Sequence, residues 1–272
     1  MIQTRVEGVI LGGSAYHICG PEHIATLEQT GIPVVSHLGD DMDVPTVGDD
    51  ARSSFFTMAR HLQNVGHRSI LMPAFLTPER SAFNRVEGFK LAMKGWGEYH
   101  EIDQKDFLRE WPSLYKNCQD TPIGVIVKLD PANLPLAEGH DITQIYYKLS
   151  KGLFAAGKLP DAIMAINDAA AFGVYNAAFE MKINIPADIA LTGADDDYFG
   201  QLPMFRLTTI RQNILQSCKA AVEMLVQRIK TGDATVMPDQ CFHSEIALRQ
   251  SCGRLIAASE DPVLYLPVAT SN

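Results

Sequence analysis

Short apolar runs alternate along this chain with longer stretches in which apolar residues recur every three or four positions. The runs predict buried strands, and the longer stretches predict helices with one apolar face. Alternation of this kind is typical of parallel sheets covered by helices. The predicted strands are residues 6–11, 32–35, 69–73, 123–129, 162–166, 189–192 and 244–248. The predicted helices are residues 22–29, 50–65, 80–93, 142–154, 169–181 and 216–230.

Two of these helices allow a prediction of which side chains face inward. In helix 80–93 the inward positions are Phe83, Val86, Phe89 and Leu91 or Met93. In helix 216–230 the apolar residues form a stripe of the kind that faces a core, namely Cys218, Val222, Leu225, Val226 and Ile229. Between residues 96 and 159 the pattern is weak. The tail has no clear period, and residues 258–272 are predicted to be irregular.

Composition describes a water-soluble globular protein. The 272 residues are 46% hydrophobic, with a mean hydropathy of −0.01, which suits one large domain or two lobes. A net charge of −9 makes the chain a poor candidate for gripping a nucleic-acid backbone by itself.

Cysteine usage and the absence of export signals favour the cytoplasm. Five widely spaced cysteines without a Cys-x-x-Cys pair fit reduced thiols better than a disulfide framework. The first residues lack the pattern of a signal peptide, and no apolar run reaches the roughly 18 residues of a membrane helix.

Motifs of enzymes and of metal sites are missing. The sequence has no phosphate-binding P-loop, no Gly-x-Gly-x-x-Gly and no Gly-x-Ser-x-Gly, so we expect neither catalysis nor a cofactor. Consecutive carboxylates at 195–197 suggest a hard cation, but three neighbours cannot easily point at one ion. The spacing of His17, Cys19 and His23 does not fit a zinc site either.

Polar side chains follow the predicted strands at the ends where ligands bind in open α/β sheets. Asn167 and Asp168 come directly after strand 162–166, and Asp195 follows strand 189–192. Arg85 lies in helix 80–93 and offers a rigid fork of donors. Asn167 or Asp168 can equally serve as a helix cap, and Arg85 as an exposed residue of the helix. One cation, one amide and several carboxylates suit a small polyhydroxylated ligand.

A set of short strings in this chain resembles the effector-binding core of LacI/GalR-type bacterial transcription regulators, which are relatives of periplasmic sugar-binding proteins. Each string alone is weak, but together they follow the order of the family between residues 6 and 249. The strings include Gly31-Ile32-Pro33-Val34-Val35, Val47-Gly48-Asp49-Asp50, Arg85-x-x-Gly88-Phe89, Asn167-Asp168-Ala169-Ala170, Gly193-x-Asp195-Asp196 and Leu207-Thr208-Thr209-Ile210.

The resemblance implies a two-lobed periplasmic-binding-protein-like fold with an incomplete first lobe. Strand 6–11 resembles the third strand of the family, so we expect a DNA-reading head and two strand–helix units to be missing. Residues 1–49 and 213–243 would form the first lobe, and residues 50–212 and 244–257 the second. A homodimer is implied as well, with operator DNA bound only through the missing N-terminal domain.

The resemblance also implies a set of ligand contacts. Arg85 and Asp195 match ligand residues of the family, and Asp49 would face the cleft at the first hinge. Tyr16 and Phe83 are aromatic residues that could stack on a sugar face.

The predicted function is therefore the sensing of a small molecule by a transcription regulator, and the expected ligand is a sugar or polyol. Two alternatives stay open at this point. The chain could be a stand-alone sugar-binding module, or the sensor domain of a GntR-type winged-helix regulator.

Overall fold

The computed structural model describes residues 6–12, 21–38, 44–76, 80–118, 120–130, 142–232, 237–253 and 263–265. In chain order its elements are β1 (Val9–Gly12), α1 (Pro21–Gln29), β2 (Val34–His37), β3 (Thr46–Asp49), α2 (Ala51–Val65), β4 (Ser69–Phe75), α3 (Arg80–Met93), β5 (Glu98–Asp103), α4 (Gln104–Asn117), β6 (Ile123–Leu129), α5 (Ile142–Ala155), β7 (Ala162–Met164), α6 (Asp168–Met181), β8 (Ala190–Ala194), α7 (Tyr198–Gln201), β9 (Thr208–Arg211), α8 (Ile214–Thr231), β10 (Gln240–Phe242), β11 (Glu245–Ala247) and β12 (Val263–Tyr265).

The chain is divided into two compact units, each built on its own sheet. The first unit comprises Met1–Ala51, Pro78–Asn84 and Asn213–Ser244, and the second comprises Arg52–Thr77, Arg85–Gln212 and Glu245–Asn272. Parallel strands dominate both sheets, and helices flank them. The predicted α/β fold class is confirmed.

The first unit has a parallel sheet of strand order β1-β2-β3-β10. On one side, α1 contributes Ile24 and Leu27 to a core with Val9, Leu11 and Val34. On the other side, α8 packs against Val35 and Val47. Small residues on the sheet-facing side of α8 bring this helix close to the strands.

The predicted inward stripe of α8 is correct only in part. Leu225 and Ile229 are half-buried, and Leu225 packs against the core of the first unit. Val222 is 51% exposed and Val226 41%, and Cys218 is exposed as well. The buried face instead carries Ser217, Ala220, Ala221, Met224 and Arg228. The hydrophobicity of Val222 and Val226 misled the prediction, because the small Ala220 and Ala221 fit against the sheet while the two valines face outward.

The second unit has a sheet of strand order β12-β11-β9-β8-β7-β4-β6-β5. All neighbouring strands from β9 to β5 in this order are parallel. Strands β11 and β12 are added antiparallel at one edge. Helices α2 and α3 cover one face of the sheet, and α4, α5 and α6 cover the other. The tail was predicted to be irregular, but residues 263–265 form β12. The prediction missed this strand because a run of three β-forming residues is too short for a visible period.

Helix α3 confirms most of its predicted inward positions. Val86, Phe89 and Met93 are buried, whereas Phe83 is 56% exposed, so its predicted inward position is wrong. Gly88 explains how α3 approaches α2: a Cβ at this position would overlap the backbone carbonyl oxygen of Arg52. Phe83 precedes this close approach and lies in the part of the helix that belongs to the first unit.

The poorly patterned region from residue 96 to 159 also forms regular structure. Strand β6 and helix α5 were predicted there, and β5 and α4 were not. Pro112 lies inside α4, where proline is rare, and this disguised the helix. Trp111 is buried and donates its Nε1–H to the Lys158 carbonyl oxygen across 2.6 Å, which anchors α4 to the unit.

Among the described residues, Cys118, Cys218, Cys241 and Cys252 form no disulfide bond. None of the described helices is long and apolar enough to cross a membrane.

Candidate functional site

The direction in which the chain leaves its strands marks the candidate ligand site in the second unit. Strand β4 is followed by α3 on one face of the sheet, and its parallel neighbour β7 is followed by α6 on the opposite face. Adjacent strands whose connections leave to opposite faces open a crevice at their carboxyl ends, where α/β proteins bind ligands. Arg85, Asn167 and Asp168 all belong to these two connections.

Arg85 joins the two connections. Its Nη1 donates to the carbonyl oxygen of Ile166 across 2.6 Å, and its guanidinium lies 5.6 Å from the ring centroid of Phe55. Within the described part of the chain, Nε is buried and has no hydrogen-bond partner. Two contacts thus fix the plane of the guanidinium and leave donor capacity unused.

Tyr146 ties α5 to β4, the strand whose connection carries Arg85. It is fully buried, and its hydroxyl donates to the carbonyl oxygen of Pro73 in β4. Burial raises the pKa of this phenol, so it stays neutral and acts as a donor. Nothing in the sequence pattern pointed to Tyr146, because it is an apolar position of a helix.

Asn167 is the N-cap of α6. Its side chain accepts a hydrogen bond from the backbone N–H of Ala170 across 2.8 Å, and the residue is half-buried. The capping alternative is therefore correct for this residue. Capping engages the side-chain oxygen, and the amide Nδ2 donates to none of the described residues.

Asp168 is buried and holds the loop after β8. One carboxylate oxygen accepts from the hydroxyl of Thr209 across 2.6 Å, and the other accepts from the backbone N–H of Asp197 across 2.8 Å. Desolvation raises the pKa of Asp168 to about 7, although both hydrogen bonds favour the ionised form. A Cβ on Gly193 would overlap this carboxylate, which explains the glycine that precedes Ala194 and Asp195.

Asp195 lies at the carboxyl end of β8 in a loop of unusual backbone. Its φ is 116° and that of Asp196 is 56°, values that non-glycine residues rarely adopt. The half-buried carboxylate of Asp195 accepts from Gln212 Nε2 across 3.1 Å. Strained backbone at a strand end, held by several partners, is typical of a functional loop.

Asp196 is held by two arginines that the sequence analysis did not select. Arg211 Nε lies 2.5 Å from Asp196 Oδ2, and Arg249 Nη2 lies 2.6 Å from Asp196 Oδ1. Arg249 is buried and also donates to the carbonyl oxygen of Leu207. The sequence could have pointed to Arg211 and Gln212 by their position, since both directly follow the family-like string Leu207–Ile210. No described group of three or more His, Cys, Asp and Glu side chains could hold a metal ion.

The remaining predicted site residues lie elsewhere. Asp49 is at the carboxyl end of β3 in the first unit, half-buried, with the Ser244 hydroxyl 3.5 Å from Oδ2. Phe83 is exposed near the start of α3 and also belongs to the first unit. Tyr16 lies outside the described residues. The second unit therefore brings Arg85, Asn167, Asp168 and Asp195 together, linked by the bonds from Arg85 to Ile166 and from Asp197 to Asp168.

Solved structures share this fold. A LacI transcriptional regulator from a Rhodococcus species is 21% identical, with a TM-score of 0.68 over 92% of this chain and 79% of that one. A LacI family regulator from Enterococcus faecium, solved with bound ribose, is also 21% identical, with a TM-score of 0.67 over 92% of this chain and 80% of that one.

Sequence comparison points the same way. The HTH-type transcriptional repressor PurR of Actinobacillus pleuropneumoniae serotype 3 is 25% identical over 260 residues, and the match covers 94% of this chain and 67% of the repressor. A model described as "Periplasmic binding proteins and sugar binding domain of LacI family" matches residues 1–113. Residues 59–252 match the model "Periplasmic binding protein-like domain". The chain therefore belongs to the family of periplasmic binding protein-like domains, as an effector-binding core of the LacI type.

Proposed function

We propose that this chain is the domain of a cytoplasmic transcription regulator that senses a neutral sugar or related polyol. The observation that carries the proposal is the convergence of Arg85, Asn167 and Asp195 at the carboxyl ends of adjacent strands in the second unit. Together they offer donors and acceptors in the mixture that neighbouring hydroxyl groups require. The regulator from Enterococcus faecium holds a ligand of this class.

The charges of the site favour a neutral ligand over a phosphorylated one. Arg211 and Arg249 both pair with Asp196, and Arg211 also lies 4.0 Å from Glu245. Two cations thus face two carboxylates, and the four side chains contribute no net charge. Asp195 then balances Arg85, so the site offers no excess of positive charge. A phosphate would meet the Asp195 carboxylate without a surplus of cations, whereas a hydroxyl can donate to the carboxylate and accept from the guanidinium.

Each polar residue has a proposed role. Arg85 holds a pair of hydroxyls with its fork of donors, Asn167 contributes its amide, and Asp195 accepts hydroxyl protons. Asp168 is a positioning residue, because both of its oxygens are already engaged by Thr209 and Asp197.

Three further contacts rest on the sequence alone. In that proposal Asp49 contributes from the first unit, and Tyr16 and Phe83 stack on the ligand.

In the proposed regulator the chain works as a homodimer that changes DNA binding in response to its ligand. Contact with operator DNA would be made by a helix-turn-helix domain, of the kind named in the PurR relative. With its net charge of −9, this chain supplies no general attraction for the phosphate backbone. No catalytic step is part of the proposal.

A ligand panel tests the proposal. Calorimetry and thermal shift would be recorded with ribose, galactose, cellobiose, a nucleoside, a purine base and a sugar phosphate. We expect at least one neutral sugar to bind saturably and the sugar phosphate not to bind. Stabilisation only by purines or phosphorylated compounds would overturn the sugar assignment.

Two matched variants test the residues. Asp195→Asn should weaken sugar binding by about 10-fold to 100-fold, since it removes an acceptor of charge-assisted hydrogen bonds. Asp197→Asn is the control, because this exposed side chain makes no capping hydrogen bond. Unchanged affinity in Asp195→Asn would remove Asp195 from the site.

A further inference from the structure

A cysteine and a histidine of the first unit lie within hydrogen-bonding distance of each other. His37 is the last residue of β2, and Cys218 lies one turn after the start of α8. Cys218 Sγ is 3.6 Å from His37 Nε2. Both residues belong to the first unit, whose core holds β2 and α8 together, so the contact depends on one compact unit only. A thiol beside an imidazole is the arrangement of a nucleophile and its base.

Ser217 completes this pair. It is buried, and its Oγ lies 2.9 Å from the same Nε2 of His37. The Ser217 hydroxyl also donates to the carbonyl oxygen of Ile214 across 3.0 Å, so its lone pairs are left to accept. When Nε2 takes a proton, Ser217 can accept a hydrogen bond from it. The protein therefore stabilises the protonated imidazole that forms when His37 removes the proton of Cys218.

His37 is available as a base at neutral pH. Burial lowers the pKa of its imidazole, because desolvation disfavours the charged ring. In the tautomer with its proton on Nδ1, Nε2 carries the lone pair that can take the thiol proton. The protonation state of His37 thus suits the role that its position beside Cys218 indicates.

The surroundings of Cys218 are exposed and apolar. Its own side chain is exposed. On α8, three or four residues away, Ile214 is 41% exposed, Leu215 84% and Val222 51%. Residues at this spacing share a helix face. These side chains can shield an apolar reactant from water, whereas a charged disulfide or a peroxide would gain little from them.

We propose that Cys218, with His37 as its base, captures small uncharged α,β-unsaturated carbonyl compounds such as enones. Sγ attacks the β-carbon and forms a carbon–sulfur bond, while the electrons of the carbon–carbon double bond move toward the carbonyl group. His37 takes the thiol proton and returns it to the α-carbon. Every atom of both reactants stays in the adduct, so the step needs neither an oxidant nor a leaving group. This site lies in the first unit and the convergent set of the proposed sugar site in the second, so the two proposals can fail separately.

N-ethylmaleimide, an uncharged unsaturated carbonyl compound, is the probe. The 272-residue chain would be exposed to it briefly at pH 6.5, and modification of each cysteine would be quantified by peptide mass spectrometry. Cys241 is the internal control, because it is exposed in the same unit. We expect Cys218 to react at least about 10-fold faster than Cys241. Equal rates would refute the capture site.

His37→Gln tests the base. It should reduce the advantage of Cys218 over Cys241 to about 3-fold or less at pH 6.5, with circular dichroism showing the variant folded. In the wild type the advantage should also shrink as pH rises from 6.5 to 8.5, since an unassisted thiol reacts through its thiolate, whose fraction grows with pH. An advantage that survives in His37→Gln, or that stays constant with pH, would remove His37 from the reaction. The pH series on the wild type decides this even if the variant does not fold.

Oxidised glutathione, a charged disulfide, tests the class of reactant. The charge of Lys219, next to Cys218, is countered by Glu223 at 3.8 Å, so it gives a charged disulfide little attraction. Cys218 should therefore prefer the maleimide over the disulfide more strongly than Cys241 does. An equal or reversed preference would assign Cys218 to disulfide exchange and overturn the capture of unsaturated carbonyl compounds.

Discussion

The hydroxyl of Thr209 donates to the carboxylate of Asp168 across 2.6 Å and thereby joins β9 to the first turn of α6. The second oxygen of the same carboxylate accepts from the backbone N–H of Asp197. One buried side chain thus sets the position of the strand end, the helix start and the loop that carries Asp195. The geometry of the proposed site depends on this group, and so does part of its pH dependence.

Asp168→Asn should change how stability varies with pH. The unfolded chain releases the proton of Asp168 near pH 4, but the folded chain keeps it until about pH 7. Wild-type stability therefore loses a contribution as pH rises from about 4 to 7, up to about 4 kcal/mol. The asparagine has no such loss, so urea denaturation between pH 4 and 8 should show the variant gaining on the wild type as pH rises.

The pH-dependent difference is the decisive measurement. Glu223→Gln, which neutralises an exposed carboxylate on α8, is the control for the loss of one negative charge. An Asp168→Asn difference that stays flat from pH 4 to 8 would show that Asp168 ionises normally in the folded protein.

Arg249 and Arg211 both contact Asp196, but their contributions to the free energy of unfolding should differ. Arg249 is 3% exposed and Arg211 is 40% exposed. Arg249→Gln leaves a buried carboxylate with one partially hydrated partner, and we expect a loss of about 3–5 kcal/mol in the free energy of unfolding. Arg211→Gln should cost about 0–1 kcal/mol. Urea midpoints at constant slope would measure both, and equal losses would contradict the assigned burial.

Adjacent tyrosines in α5 provide a second matched pair. Tyr146→Phe leaves the Pro73 carbonyl oxygen without its buried donor and should cost about 1–3 kcal/mol. Tyr147→Phe removes a hydroxyl that donates to Glu180 at the surface and should stay within about 0.5 kcal/mol of wild type. Thermal and urea unfolding of both variants would settle the comparison, and a larger loss in Tyr147→Phe would reverse it.

A strong hydrophobic pattern predicted the first and last residues of some helices and strands correctly. The bounds of α3 and β6 are those expected from the sequence, and α5 is one residue longer. The short strands β3, β9 and β10 were not predicted, whereas the equally short β7 was, because it lies in the continuous apolar run of residues 162–166. Helix α4 was hidden by Pro112, and the buried face of α8 by its small residues.

The sequence predicted only those residues of the candidate site whose location follows from the end of a strand. Asn167 and Asp195 follow strand ends in the sequence, and the structure places them there. The burial of Asp168 depends on Thr209, forty-one residues later, and the restraint of Asp196 depends on Arg249. Contacts of this range arise from packing of the sheet, which no local pattern encodes.

Gly88→Ala should destabilise the protein although the same exchange usually stabilises a helix. Alanine favours helices over glycine by about 1 kcal/mol. At position 88, however, the new Cβ would overlap the carbonyl oxygen of Arg52 and crowd the backbone nitrogen of Phe56, and backbone atoms cannot move aside cheaply. We expect a net loss of about 1–3 kcal/mol in the free energy of unfolding.

Gly152→Ala in α5 is the matched control, because its Cβ would meet only the flexible end of Leu108. This variant should be neutral or gain up to about 1 kcal/mol. Since Gly88 sets the approach of α3 to α2, Gly88→Ala should also displace Arg85, one turn earlier, and weaken sugar binding, whereas Gly152→Ala should not. A stabilised Gly88→Ala with unchanged affinity would show that the two helices can separate without disturbing Arg85.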